Sequence, residues 1–114
     1  MLNFFKKTDV DQAKVKAFAE WFFSNEERIR KSVENRQSDH DAMFAVLDEV
    51  ELQLGNVYQD GYRGRIEFDY GGMGQDWELN LYHKNNKFLM EATKLISNEF
   101  DRFHSTIWKV TIRK

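Results

Sequence analysis

The sequence contains neither cysteine nor proline among its 114 residues. Without cysteine, the chain cannot form disulfides, use a thiolate nucleophile or build a cysteine-based zinc or iron–sulfur site. Without proline, cis-prolyl turns and proline-kinked helices are excluded. No apolar run approaches the roughly 18 residues of a membrane-spanning helix, and Met1–Lys7 lacks the apolar stretch of a signal peptide. We therefore expect a cytoplasmic protein with no membrane partner and no cofactor.

Hydrophobic residues make up 41% of the chain and aromatic residues 15%, which is too much apolar surface for a disordered protein. The length fits one domain, residues 1–114. The net charge is only -2, yet residues 37–61 contain six Asp or Glu and no Lys or Arg. Because Lys and Arg are nowhere strongly clustered, we do not expect a nucleic-acid partner.

The first helical region covers residues 10–36, where apolar residues keep the spacing of an amphipathic helix. Asp9 followed by Gln12 resembles a capping box and predicts the start. Phe23 lies outside the apolar stripe, which a break at Ser24-Asn25 would explain, but the continuous stripe favours one long helix. We predict a single helix here and keep two helices as the alternative.

A second helix is predicted to open at Ser38-Asp39 and to stop at Gly55-Asn56, because Asp caps helix starts and Gly commonly ends helices. Its apolar residues recur at helical spacing. Asp48, Glu49 and Glu51 fall on the opposite side of this helix. Much of the charge of the acidic segment should therefore lie on one solvated helix face.

Alternation of apolar and polar residues predicts strands at 65–70, 77–84 and 107–113, with a glycine-rich hairpin connection at 71–76. A third helix after Asn85-Asn86 makes a right-handed crossover that sets the last strand parallel to the second. Because one sheet face is polar, the prediction is a two-layer α+β fold with helices on one face of a small mixed, mostly antiparallel sheet. Residues 57–59 are a further candidate edge strand.

An aromatic motif in the first helix has the form F-x-x-W-F-x-x-N-E-E-x-I and runs from Phe18 to Ile29, and a terminal strand, Trp108–Ile112, follows a helix. In these two stretches the chain resembles a group of small uncharacterised bacterial proteins. It departs from them at residues 103–106, where relatives tend to have an Ala-Pro pair. The resemblance implies a bacterial α+β protein and brings no activity with it.

Candidate catalytic groups are sparse. His83 ends a strand in phase with core residues, which is typical of a histidine at the rim of the core. His40 lies at a helix start, where it would contribute to capping and surface electrostatics. Asp101 and His104 have the spacing of a metal-ligand pair but no second pair joins them, so we expect no metal site. Gly71–Gly74 lacks the Lys-Ser/Thr ending of a phosphate loop and leads into a strand.

We therefore expect a non-enzymatic domain that binds another protein or itself, since large aromatic side chains dominate interfaces and acidic faces select basic partners. One alternative is a toxin-neutralising, immunity-type protein. Another is a small-molecule binder or enzyme with a pocket between sheet and helices, around His83, Tyr70 and His104. The candidate binding residues are Trp21, Phe23, Asp48, Glu49, Glu51 and Tyr82.

Overall fold

A computed structural model describes residues 9–114 of the chain, so the expectation for Met1–Lys7 lies outside the described residues. This part of the chain contains four helices and three strands, in an order that confirms the predicted α+β class. The elements are α1 (Gln12–Ser24), α2 (Glu26–Glu34), α3 (His40–Tyr58), β1 (Phe68–Met73), β2 (Asp76–Tyr82), α4 (Lys87–Arg102) and β3 (Trp108–Arg113).

The sheet has the order β1-β2-β3, with β2 in the centre. β1 pairs with β2 antiparallel, Phe68 opposite Leu81. β3 pairs with β2 parallel, Trp108 opposite Trp77. The crossover through α4 is therefore confirmed, because a parallel neighbour joined through a helix is what the alternation predicted.

The prediction of one long helix over residues 10–36 is wrong, and the alternative of two helices is observed. Asn25 has φ -118° and ψ 7°, which interrupts the helix between α1 and α2. Its side-chain amide donates to the carbonyl oxygen of Trp21 at 2.8 Å, so the asparagine competes with the regular backbone ladder. The helix also starts two residues later than the predicted cap at Asp9. The cap of α1 is Asp11, whose carboxylate accepts from the N–H of Ala13 at 2.9 Å.

The predicted end of the second helix at Gly55-Asn56 is wrong, because α3 continues to Tyr58. The candidate edge strand at 57–59 is wrong for the same reason. Val57 and Tyr58 are both buried, and burying two large apolar side chains outweighs the roughly 1 kcal/mol that a glycine costs inside a helix. Asp39 caps α3 as predicted: its carboxylate accepts from the N–H of Ala42 at 3.0 Å.

The hairpin turn is shorter than predicted, since only Gly74 and Gln75 connect β1 to β2 and residues 71–73 belong to β1. Gly74 has φ +62°, a backbone conformation that glycine adopts without steric cost. At Gly72 an added Cβ would collide with the carbonyl oxygen of Asp76 and the Cα of Trp77. These two glycines fix the turn and place β1 three residues later than the sequence predicted.

The core lies between the inner sheet face and the helices. Trp77, Leu79 and Leu81 alternate along β2 with half-buried polar residues, which confirms the two-faced sheet. The Trp77 and Trp108 rings lie 5.5 Å apart, and Phe22 of α1 meets Trp108 edge-on at 4.8 Å. No helix among residues 9–114 is both long enough and apolar enough to span a bilayer.

Candidate protein-binding groove

The solvent-facing side of α3 combines apolar and acidic residues. Asp48 follows Phe44 by four positions, and Glu51 and Leu52 follow Asp48 by three and four, so the four residues lie on one face of the helix. Phe44 is 56% exposed and Leu52 64% exposed. Two large apolar side chains are thus presented to solvent beside two carboxylates.

Two adjacent depressions lie between this face of α3 and the segment that leads into β1. Their volumes are about 550 and 440 Å³. Glu51 and Ile66 line both depressions, so the two form one continuous surface, which we call the acidic groove. Its other lining residues are Leu47, Asp48, Leu52, Gly55, Asn56, Gln59, Arg65, Glu67, Phe68, Asp69 and Tyr82.

The floor of the acidic groove is apolar. Leu47, Ile66 and Phe68 are half-buried beneath it, and the Phe68 ring stacks against Tyr70 with centroids 6.2 Å apart. Ile66 also contacts α3 at Gly55, where an added Cβ would lie 3.5 Å from its Cδ1 atom. The floor is therefore held by packing and can exclude water from an apolar group placed on it.

The rim of the acidic groove has a negative balance, with four carboxylates against one guanidinium. Glu67 is the one carboxylate with a cation close by, Lys84 Nζ at 3.1 Å, and this contact raises the pKa of Lys84. Among residues 9–114, the other three carboxylates form no ion pair. The charged rim residues are Asp48, Glu51, Glu67, Asp69 and Arg65.

Asp69 is held in place by two donors from β2. It accepts from the side-chain amide of Asn80 at 2.6 Å and from the hydroxyl of Tyr82 at 2.9 Å. The hydrogen bond to the carboxylate raises the pKa of Tyr82, because the phenol donates to a negative group. Asp69 therefore presents a fixed negative charge at the sheet side of the groove.

The structure brings together three of the six predicted binding residues, Asp48, Glu51 and Tyr82. Glu49 lies apart from them, because it forms a two-pronged pair with Arg28 of α2 at 2.8 Å for both contacts. That pair lowers the pKa of Glu49. Glu49 thus joins α2 to α3 and does not line the groove.

Trp21 and Phe23 also lie away from the acidic groove, in an aromatic contact between α1 and α4. The ring of Phe23 stacks on Phe103 at 4.5 Å and lies 4.8 Å from Phe100. Trp21 is half-buried with its ring 6.5 Å from Phe18. Phe23, although it lies outside the apolar stripe of its helix, therefore packs within the molecule, and Phe103, 41% exposed, is the most exposed aromatic residue of this cluster.

Several groove residues were not among the candidates from sequence. Leu52 had a signal in the sequence, because it lies on the acidic side of α3, where an apolar residue has no core to contact. Ile66 and Asp69 had no such signal in the sequence, because their position beside α3 depends on the path of the chain between α3 and β1.

Among residues 9–114, the five most pronounced depressions are lined by other residues than His83, Tyr70 and His104, the positions of the alternative pocket. His83 Nδ1 accepts from the N–H of Asn85 at 3.0 Å, as a rim position would suggest. Within residues 9–114 no cluster of three or more His, Asp or Glu is arranged to hold a metal ion.

Comparison with models of known protein families, with curated proteins and with solved structures finds no match for this chain. The chemistry of the acidic groove is therefore the basis for inferring a function.

Proposed function

We propose that the protein is a non-enzymatic binding domain whose acidic groove receives a basic segment of another protein, in the bacterial cytoplasm. One observation supports this most directly: an apolar floor is bordered by Asp48, Glu51 and Asp69, three carboxylates that no cation in residues 9–114 neutralises. An apolar floor with a charged rim is how protein interfaces are commonly built.

The two kinds of groove residue have different effects on binding. Covering an apolar groove residue such as the exposed Leu52 stabilises a complex by up to about 1.5–3 kcal/mol for each fully buried side chain. The carboxylates contribute less affinity, because exposed ion pairs are worth about 0–1 kcal/mol. Their main effect is on the rate of association and on the exclusion of acidic partners.

A toxin-neutralising role is the special case in which the basic segment belongs to a toxin. The acidic groove supports it through charge complementarity alone, since blocking a cationic active site requires an opposing acidic surface. Self-association through Trp21 and Phe23 is a second candidate, supported by the exposed Phe103 ring that lies over Phe23.

The test uses an array of peptides of about twelve residues in which Lys or Arg alternates with an apolar residue, and a matched array with Glu in the basic positions. We expect only the basic array to bind, with affinity falling as salt rises. Binding is measured by fluorescence anisotropy on the best peptide.

The decisive variant is Asp48→Asn with Glu51→Gln, which removes two charges and preserves shape. Losing two exposed pairs should weaken binding about three- to tenfold. Glu20→Gln is the matched control, because Glu20 is an exposed carboxylate on α1 outside the groove. Equal binding of both arrays, or equal affinity for the double variant and the control, would contradict the proposal.

A further inference from the structure

We infer that the partner segment binds as an added β-strand along the free edge of β1, with basic residues alternating with apolar ones. This inference rests on the proposed function and specifies how the acidic groove is occupied. Within residues 9–114, β1 is an edge strand, since its one partner there is β2. An exposed edge is a template for another strand, and adding a strand is a common way to bind an extended peptide.

The register shows which backbone groups of β1 are free. The N–H of Tyr82 donates to the carbonyl oxygen of Glu67 at 3.3 Å, so Glu67, and every second residue after it, directs its backbone groups toward β2. Phe68 and Tyr70 therefore direct their N–H and C=O groups away from the sheet. Within residues 9–114 no other backbone or side-chain group bonds to them.

This free edge opens into the acidic groove. Residues 65–69 form one wall of the larger depression, and Leu47 and Glu51 of α3 lie on the other side. A strand laid beside Ile66 and Phe68 would hydrogen-bond to the edge while lying over the apolar floor. A helix in the same place would leave the edge groups unpaired, because its own backbone groups are already bonded.

The two faces of the added strand would meet different surroundings. Side chains beside Phe68 face the apolar floor, whereas side chains beside Glu67 and Asp69 face the outer side of the sheet, where Asp69 forms no ion pair within residues 9–114. Alternating apolar and basic residues satisfy both faces. A second copy of β1 does not, because Glu67 and Asp69 of two copies would lie opposite like charges.

The experiment uses the best basic peptide of the array in three forms: unmodified, and backbone N-methylated at every second residue in either of the two phases. In an added strand only one phase directs its N–H groups toward β1. We expect that phase to lose at least about tenfold in affinity, since several hydrogen bonds are lost at once. The other phase should bind within about threefold of the unmodified peptide.

Amide hydrogen exchange of the protein provides a second readout. We expect the N–H groups of Phe68 and Ile66 to exchange more slowly when the unmodified peptide is bound, and the exposed N–H groups of the turn at Gln75 to be unchanged. This readout does not depend on any effect of methylation on the peptide itself.

The outcomes separate the two proposals. Strand addition is supported if methylation in only one phase lowers the affinity of the peptide and the amide of Phe68 exchanges more slowly in the complex. Equal effects in both phases, unchanged exchange at Phe68, or a helical circular-dichroism signal from the bound peptide would overturn strand addition while leaving groove binding in place. Failure of every unmodified basic peptide to bind would overturn the proposed function itself. A doubling of mass in sedimentation without peptide, accompanied by slowed amide exchange at Phe68, would assign the edge to a second copy and overturn the inference.

Discussion

Replacing Gly72 by alanine is expected to destabilise the protein strongly, whereas the same change at the adjacent Gly71 should be harmless. An added Cβ at Gly72 would overlap the carbonyl oxygen of Asp76 and lie 2.7 Å from the Cα of Trp77. Both obstacles are backbone atoms of the facing strand and cannot rotate away. An added Cβ at Gly71 meets nothing within 4 Å.

The magnitudes follow from these contacts. Overpacking against fixed atoms costs about 1–3 kcal/mol, and Gly72→Ala should lie at the upper end because relief requires the β1–β2 ladder to separate. Gly71→Ala should be neutral or stabilise by up to about 1 kcal/mol, since alanine restricts the unfolded chain. Gly74→Ala should have an effect between these two. A Cβ at Gly74 meets no other atom within 4 Å, but the backbone angle φ of +62° costs an L-residue about 1–2 kcal/mol.

The assay is urea unfolding followed by tryptophan fluorescence, with Trp77 as a reporter beside the substituted position. Because Gly71 and Gly72 are neighbours in one strand and are changed to the same residue, the comparison controls for the strand propensity of alanine. Equal stability of the Gly71→Ala and Gly72→Ala variants would refute the pairing of Gly72 with Trp77. It would also contradict the β1–β2 register, in which the backbone N–H and C=O groups of Phe68 point away from β2.

Two further predictions concern contacts outside the groove. Glu26 accepts from Arg30 at 2.7 Å and from the indole N–H of Trp108 at 3.1 Å, and its pKa is lowered, first by the hydrogen bond from Arg30. A lowered carboxyl pKa contributes stability that is present above the usual value of 4.5 and is lost as pH falls below it. Glu26→Gln should therefore cost about 1 kcal/mol at neutral pH and make acid unfolding, followed by circular dichroism, less steep below that value. An unchanged acid profile would contradict this. Phe103→Ser should leave the fold intact because the ring is 41% exposed. If Phe23 and Phe103 form a self-association surface, the substitution should lower the mass seen in sedimentation at high protein concentration. A mass unaffected by the change would argue against that surface.

The sheet was predictable because its signal is local. In β2, Leu79 and Leu81 alternate with polar residues, and the crossover to β3 follows from chain handedness. Element ends were less predictable, because competing contacts decide them. Gly55 would end an isolated helix, yet Val57 and Tyr58 find a buried place in the core and extend α3 past it.

The acidic groove was only half predictable. The acidic face of α3 follows from helical spacing, but the opposite wall depends on the connection between α3 and β1. Gly61 packs so closely on the ring of Phe88 that no Cβ fits, and Tyr62 donates to the carbonyl oxygen of Arg65 at 3.0 Å. Such contacts join distant parts of the chain and have no periodic signal in the sequence.

The charge of the whole chain conceals the property that matters for binding. A net charge of -2 would steer few partners, but the acidic excess is concentrated in residues 37–61, which include all of α3. At physiological salt, screening acts over about 8 Å, so an approaching segment responds mainly to the nearest carboxylates. At the groove these are Asp48, Glu51 and Asp69, and none forms an ion pair within residues 9–114. Local charge, together with the unpaired edge of β1, therefore determines which partner the groove would select, while the lysines and arginines elsewhere keep the overall balance near neutral.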